Sequence, residues 1–191
     1  MKGGARLRGA VRRSCVVCLV SVLAMASAES LAEVYMTRDE ALLFVFGDAR
    51  VERKTVFLTD EQLERVRDLS RGGIEIKSAL VTQYVATSND GVMGTAYFDT
   101  HPVRTLQETI MVVVTPQGTV DRVEILSFLE PREYLPRDAW LKQFEGRALD
   151  GDLTLKKSIH GITGATLSAR AVTDAMRRVL AVHGALSEAR P

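Results

Sequence analysis

A short run near the C-terminus places hydroxyl side chains around two small residues: Ile162-Thr163-Gly164-Ala165-Thr166-Leu167-Ser168. Thr and Ser are typical N-cap residues because their oxygens accept the unpaired N–H groups of the first helical turn. The same N–H groups and the helix dipole favour a phosphate group. Gly164 and Ala165 leave the backbone beside Thr166 accessible, so that a bulky phosphorylated group can reach its hydroxyl. These residues indicate a helix start with a candidate phosphate site, and they do not name a ligand.

The residues after this run predict a final helix. Leu167 to His183 has apolar residues at helical spacing, and Gly184 is expected to end the helix. This places Thr166 at or just before the first turn, with Ser168 as a second hydroxyl within reach. The charged residues of the helix are expected to face outwards, with Asp174 and Arg178 spaced for an ion pair.

The tetrad Thr163-Gly164-Ala165-Thr166 resembles the S/T-G-A-T flavinylation motif of the covalent FMN-binding domain. That family includes flavin-carrying components of the sodium-pumping NADH:quinone reductase and of the Rnf complex, and many exported bacterial proteins. Its last Thr carries FMN through a phosphoester bond made by a flavin transferase, so the resemblance implies that Thr166 is the attachment residue. The run from Trp140 to Gly146, W-L-K-Q-F-E-G, resembles a W…QF.G element that precedes the motif. The similarity extends over residues 75–185.

The resemblance also implies which residues contact the cofactor: Thr166, Thr163, Gly164, Ala165, Leu167, Ser168 and His160. His160 occupies the position, six residues before Thr166, where the family usually has an acidic residue. Many members carry an E-T-P-G-type loop after the second pair of strands, where this chain has Glu130-Pro131-Arg132-Glu133-Tyr134.

The N-terminus has the pattern of an export signal. A basic region is followed by Cys15 to Ala28, which is uncharged and mostly apolar, and Ala26-Ser27-Ala28 has the small-x-small form of a cleavage site. This apolar stretch is shorter than the roughly 20 residues that span a bilayer. We therefore expect residues 1–28 to be a cleaved signal peptide and the mature protein to be periplasmic, with any membrane association made through its partners. Both cysteines, Cys15 and Cys18, lie in the signal.

Charge argues against a nucleic-acid partner. The full chain carries 25 basic and 24 acidic residues. Loss of residues 1–28 removes five basic residues and leaves a mature domain with a net charge of −4. Binding to nucleic acid needs clustered basic residues to neutralise phosphates.

The remaining chain predicts an α+β fold. Thr37 and Thr59 each begin a short helix, and residues 29–74 are expected to form a helical extension. The FMN-binding domain is expected in residues 75–186, with an antiparallel sheet of four or more strands packed with helices. Its strands are predicted at 80–88, 92–98, 107–115 and 119–128, followed by a helix over 135–144.

Together these features favour an exported flavoprotein that carries FMN at Thr166 and relays electrons between periplasmic or membrane redox partners. Expected partners are the flavin transferase and proteins such as cytochromes or components of a membrane reductase. One alternative is an FMN-dependent periplasmic reductase of a small molecule. The other is a non-redox binding or assembly protein in which the TGAT motif is only a helix cap. No catalytic residue is predicted. No metal site is predicted either, because His101, His160 and His183 are not spaced as metal ligands, although Asp99 with His101 could bind a metal.

Overall fold

The computed structural model describes residues 33–70, 76 and 78–188 and shows an α+β fold. The elements in chain order are β1 (Glu33–Val34), α1 (Arg38–Phe46), β2 (Arg50–Phe57), α2 (Asp60–Leu69), β3 (Leu80–Ser88), β4 (Gly91–Pro102), β5 (Gln107–Val114), β6 (Val120–Phe128), α3 (Asp138–Leu141) and α4 (Thr166–Glu188). The predicted signal peptide, residues 1–28, lies outside the described residues.

The strands form one antiparallel sheet in the order β1-β6-β5-β4-β3-β2. The predicted antiparallel sheet is confirmed, and four of its strands lie close to the positions that the sequence indicates. Strands β4 and β5 pair from Thr95↔Val114 to Pro102↔Gln107 in the middle of the sheet. Gly91, at the β3–β4 hairpin, has a φ of 117°, a backbone conformation that favours glycine.

The segment before residue 75 contributes to this sheet as well as the two predicted helices. Strand β2 pairs with β3 from Arg50↔Thr87 to Phe57↔Leu80 and forms one edge of the sheet. The two helices of the expected extension, α1 and α2, are both present, but the segment also contains strands β1 and β2, which the sequence did not predict. The sequence R-V-E-R-K-T-V-F gives little strand signal because most of its side chains are exposed. Charged residues are common on edge strands, where they oppose pairing with other chains.

Both faces of the sheet are covered by apolar side chains. Along β5, Ile110 and Val112 belong to the core shared with α2 and α4, whereas Met111 and Val113 belong to the core that α1 covers. This alternation follows from the opposite orientation of successive side chains in a strand. Strand β5 is therefore the covered central strand that its run of apolar residues predicts.

Helix α4 extends past the glycine that was expected to end it. Gly184 lies inside α4, and a Cβ atom at this position would be 3.3 Å from Cδ1 of Leu69 in α2. The prediction that Gly184 stops the helix is wrong because the glycine serves the close packing of two helices. It allows α2 to approach α4 where any larger residue would press on Leu69.

The predicted helix over residues 135–144 is much shorter in the structure. Arg132–Tyr134 and Lys142–Phe144 are 3-10 turns, and only Asp138–Leu141 is α-helical. Leu135 is extended, with ψ of 124°, as expected for a residue that precedes a proline. Pro136 therefore lies ahead of the helix, which begins at Asp138.

Candidate functional site

Thr166 is the first residue of the 23-residue helix α4, and no described side chain accepts an N–H group of its first turn. The Ala169 N–H donates to the Ala165 carbonyl at 3.1 Å, so that the helical ladder begins at Ala165. Within the described part of the chain, no acceptor meets the N–H groups of Thr166, Leu167 or Ser168. Alanine has no side-chain oxygen to accept them. The terminus therefore presents three open donors and the positive end of the helix dipole to an anion.

The side chain of Thr166 differs from the two threonines that do cap helices in this chain. Thr37 and Thr59 accept the N–H of the residue three positions later, at 3.3 and 3.2 Å. The hydroxyls of Thr163 and Thr166 make no hydrogen bond to any described residue, and both residues are exposed. This geometry gives no support to the alternative in which the motif only caps a helix.

The loop in front of α4 is open above its glycine. Gly164 has a φ of 81°, and a Cβ atom built on it would have no neighbour within 4 Å. Two of the predicted cofactor-binding residues, Ala165 and Ser168, are buried. The others are exposed: His160, Thr163, Gly164, Thr166 and Leu167.

Ser168 does not present its hydroxyl at the surface. The residue is 1% exposed, and its Oγ has no hydrogen-bond partner among the described residues. A buried hydroxyl without a partner costs free energy. The structure therefore leaves Thr166 as the accessible hydroxyl at the start of the helix, instead of the two hydroxyls that the sequence indicated.

The segment six residues before Thr166 is held by the W-L-K-Q-F-E-G element. The Trp140 Nε1–H donates to the backbone carbonyl of His160 at 2.7 Å, and the His160 N–H donates to Oε1 of Gln143 at 2.7 Å. Phe144 is fully buried and meets the Trp140 ring edge to face, with centroids 5.3 Å apart. The element thus fixes the backbone of His160, while the imidazole is exposed.

A buried arginine holds the connection that leads into the motif. Arg177 is 7% exposed, and its guanidinium donates to the carbonyl oxygens of Asp150 and Leu153 at 3.3 and 3.1 Å. It also donates to the carbonyl oxygen of Ser70 at 3.1 Å. The expectation that the charged residues of the helix face outwards is therefore wrong for Arg177. Its guanidinium is buried because it donates to these backbone carbonyl oxygens, which would otherwise lack hydrogen-bond partners.

A cavity of about 480 Å³ lies between α4 and strands β3 and β4. Side chains that line it include the apolar Val81, Ala171, Val179 and Val182. Its polar lining includes Asp99, His101, Asp174 and Arg178. A volume of this size is in the range of small-molecule sites.

Arg178 makes a different ion pair from the one expected. Its Nε and Nη2 donate to the two carboxylate oxygens of Asp99, each at 2.7 Å, so that the expected pair with Asp174 is wrong. Asp99 also accepts from Nδ1 of His101 at 2.8 Å. On the far side of the ring, Nε2 of His101 lies 3.3 Å from Oε2 of Glu108, which is fully buried.

The pKa values of this cluster are shifted by burial and by its internal contacts. Burial of Asp99 is outweighed by hydrogen bonds from Arg178 and His101, which hold its pKa at about 2. Burial works against a charged His101, but its contacts with Asp99 and Glu108 raise the pKa of the imidazole. Burial raises the pKa of Glu108. The contacts of His101 with Asp99 and Glu108 therefore favour its protonated form. Among the described residues, no cluster of three or more His, Cys, Asp or Glu side chains could hold a metal ion.

The loop that replaces the E-T-P-G-type sequence has a structural role. One carboxylate oxygen of Glu130 accepts the backbone N–H groups of Arg104, Thr105 and Leu106 at 3.1, 2.7 and 2.9 Å. Arg104 in turn lies over the Tyr134 ring, 5.6 Å from its centroid. Glu130 thus shapes the β4–β5 turn from the far end of β6.

Residues 107–181 match the family model of the FMN-binding domain, which supports an FMN-binding domain in this part of the chain. The matched region begins at β5 and ends within α4, and it contains the W-L-K-Q-F-E-G element and Thr166. Comparisons with curated proteins and with solved structures gave no match. No helix in residues 33–70, 76 and 78–188 is long and apolar enough to cross a membrane.

The residues at the helix start fit a phosphate-bearing cofactor. The site combines an exposed hydroxyl, open N–H donors and empty space over Gly164. The match to the FMN-binding domain supports FMN as the cofactor, and a flavin would supply redox chemistry when bound. Sequence reasoning named the exposed hydroxyl but missed the cluster of Asp99, His101, Glu108 and Arg178, because its members come from three separate elements.

Proposed function

We propose that this protein carries FMN through a phosphoester bond to Thr166 and relays electrons between redox partners outside the cytoplasm. The observation that carries the proposal is the combination of the FMN-binding domain match with an exposed, unbonded Thr166 hydroxyl at an uncapped helix terminus. A specific similarity to the flavin-carrying components of the sodium-pumping NADH:quinone reductase and of the Rnf complex is part of the same proposal.

The chemistry of attachment follows from the position of Thr166. Oγ1 of Thr166 forms a bond to the flavin-side phosphorus of a flavin dinucleotide that the transferase binds. The phosphoanhydride bond of that dinucleotide breaks, a nucleoside monophosphate leaves, and the hydroxyl proton passes to a base of the transferase. The phosphoester keeps a negative charge, which the open N–H groups of Thr166, Leu167 and Ser168 and the helix dipole stabilise. The anchor needs no further cationic side chain at the helix start.

A tether suits a protein that works outside the cytoplasm. A flavin bound only by equilibrium contacts would be diluted after release, whereas a covalent bond retains it at any concentration. We propose that residues 1–28 direct export and are removed, and that residues 75–186 form the flavin domain. Cytochromes or components of a membrane reductase are the proposed redox partners, and the protein acts as an electron carrier instead of a stand-alone enzyme.

The experiment is co-production of the protein with a flavin transferase, followed by measurement of its visible flavin absorbance after denaturation and gel filtration. The parent is expected to keep its flavin, and Thr166→Ala is expected to lose it. Thr55→Ala is the matched control, because it removes an exposed hydroxyl from the edge strand β2, outside the motif, and is expected to keep the flavin. A parent protein without flavin under these conditions would overturn the proposal.

The relay is tested separately from the attachment. The loaded protein is reduced and mixed with a soluble c-type cytochrome in a stopped-flow instrument. Electron transfer is expected to oxidise the reduced flavin in two one-electron steps, each of which reduces one haem, with rates that increase with the cytochrome concentration. A loaded protein that reacts with no protein acceptor but turns over a small organic substrate would instead identify a reductase.

A further inference from the structure

The guanidinium group of Arg178 lines the cavity beside α4, where an ion pair fixes it and leaves one hydrogen-bond donor unused. Two nitrogens of the Arg178 guanidinium are fixed on Asp99 at 2.7 Å each. Its third nitrogen, Nη1, makes no hydrogen bond to any described residue and is not buried. Because the other two bonds fix the orientation of the planar group, Nη1 is a preorganised donor at the cavity wall.

The lining of the cavity indicates the chemical class of its occupant. Apolar side chains from β3 and α4, among them Val81, Val179 and Val182, form much of its wall. The charges of Arg178 and Asp99 compensate each other, and Asp174 adds a negative charge, so that the cavity does not favour an anion. A neutral planar ring with a hydrogen-bonding edge matches an apolar wall that ends in a fixed donor.

One face of α4 connects this cavity to the start of the helix. Ala171, Asp174 and Arg178 line the cavity. Leu167 continues the same face towards the N-terminus at helical spacing, and it is 47% exposed. From Thr166 to Asp174 the helix rises by about 12 Å, given a rise of about 1.5 Å per residue. The extended ribityl phosphate arm of FMN covers most of this rise and the ring itself spans the rest, so a ring tethered at Thr166 can lie over Leu167 and reach the cavity.

We propose that the cavity between α4 and strands β3 and β4 receives the isoalloxazine ring of a flavin tethered at Thr166, with Arg178 and Asp174 at its polar end. The inference rests on the proposed function, because it requires the tether at Thr166. In this arrangement the phosphate end of the cofactor is held by the first turn of α4 and the ring by the third and fourth turns. Arg178 and Asp174 are positioning and tuning residues, and neither takes part in attachment.

The charged side chains at the polar end of the cavity are expected to affect the reduction potential of the flavin ring. A negative charge close to a flavin disfavours the addition of electrons, and a positive charge favours it. Asp174 is half-buried, and its burial raises the pKa of its carboxyl group, so its effect is measured at mildly alkaline pH, where the group is ionised. The charged or titratable groups that act on it are Arg170, Arg177 and Arg178 on α4 and His101 on β4. Asp99 and Glu108 are the partners of His101.

The first test is the flavin midpoint potential of the loaded protein. Asp174→Asn keeps the shape of the side chain and removes its charge, and it is expected to shift the potential upwards. Asp121→Asn is the matched control, because Asp121 is exposed on β6, which is not part of the cavity, and no shift is expected. Both variants are outside the attachment motif and are expected to carry as much flavin as the parent.

The second test fills the cavity. Ala171→Phe places a large side chain on the α4 wall and is expected to remove most of the visible circular dichroism of the flavin, because the displaced ring loses its asymmetric surroundings. Ala148→Phe, at an exposed position in the connection, is the control. The amount of tethered flavin is expected to stay at the parental level in both proteins.

The outcomes separate the attachment from the placement of the ring. A parent that carries no flavin overturns the proposed function and this inference together. A loaded parent overturns the inference alone if Asp174→Asn has the same potential as Asp121→Asn. Unchanged visible dichroism in a folded, loaded Ala171→Phe protein has the same consequence.

Discussion

The indole Nε1 of Trp140 donates a hydrogen bond of 2.7 Å to the backbone carbonyl of His160, six residues before the threonine at the start of α4. Gln143 accepts the N–H of the same residue at 2.7 Å. Both backbone groups of His160 are thus used by a segment that is about 20 residues earlier in the chain. This relationship explains why a W…QF element and a TGAT motif belong together: the first holds the loop from which the second projects.

Trp140→Phe is expected to loosen this loop without disrupting the core. Phenylalanine keeps an aromatic ring against Phe144 but has no N–H for the His160 carbonyl, so the loss of one hydrogen bond is expected to cost about 1 kcal/mol of unfolding free energy. The geometry of the segment before Thr166 is expected to vary more, and flavin loading by the transferase is expected to fall. Loading is measured by absorbance per protein and stability by chemical denaturation.

Tyr134→Phe is a matched control for the Trp140 substitution. Tyr134 lies in the 3-10 turn before α3, and the exchange also removes one polar hydrogen from an aromatic side chain. It is expected to leave loading unchanged. Equal loading of the parent and of Trp140→Phe would show that the hydrogen bond to His160 has no part in presenting the motif.

Ala165→Ser tests whether the helix start is left uncapped for a ligand. Serine at the N-cap position can accept one of the open N–H groups of the first turn, so unfolding free energy is expected to rise by about 1 kcal/mol. Flavin loading is expected to fall, because the added oxygen competes with the phosphoester for the same donors. Ala148→Ser, at an exposed site outside the helices, is the control and is expected to change neither quantity. A more stable protein with full loading would show that the N–H groups do not contribute to attachment.

His160→Asp tests the position where the family usually has an acidic residue. The His160 side chain is exposed and only its backbone is fastened, so the substitution is expected to leave stability unchanged. If the transferase reads a carboxylate here, the rate of flavin loading rises in His160→Asp and stays at the parental level in His160→Asn. Equal rates in all three proteins would show that the residue is not read.

The buried cluster predicts how stability depends on pH. The pKa of His101 is raised in the folded state by Asp99 and Glu108, and burial raises that of Glu108, so the folded protein binds more protons than the unfolded one above about pH 6.5. Stability is therefore expected to fall as the pH rises above about 6.5. Asp99 affects stability at acidic pH. Its pKa is lowered to about 2 in the folded state, so the stabilisation that its carboxylate provides is lost as the pH falls below about 4.

Thermal unfolding at several pH values checks this dependence. The double variant His101→Gln/Glu108→Gln keeps the approximate size of both side chains and removes both titrating groups, so its stability is expected to change less over the same alkaline range. Asp121→Asn is expected to keep the parental slope. A parent whose midpoint temperature is constant or increases across this range would contradict the assigned pKa directions.

The sequence predicted those elements whose signal is local. Thr37 and Thr59 begin their helices with capping boxes, and the strands from Leu80 to Phe128 follow their apolar and turn residues. Strand β2 was missed because an edge strand needs only one partner and can be highly charged. Gly184 was misread because a helix-ending glycine and a glycine at a helix crossing look alike until the partner, Leu69, is known.

The sequence also predicted those features of the candidate site that depend on neighbouring residues in the chain. The position of Thr166 at the helix start follows from the order of residues, as does its accessibility beside Gly164. The burial of Ser168 and the pairing of Arg178 with Asp99 do not, because both depend on how α4 lies on the sheet. An arginine on a helix that pairs with the sheet is indistinguishable in sequence from a solvated one, and only the placement of α4 against β4 decides between them.

The most direct test of the central claim is the mass of the peptide that contains Thr166, taken from protein produced with a flavin transferase. We expect this peptide to carry one added FMN group in the parent, with fragmentation placing the group on Thr166, and we expect the Thr166→Ala peptide to be unmodified. An unmodified parental peptide, or a flavin located on Thr163 or Ser168, would contradict attachment at Thr166.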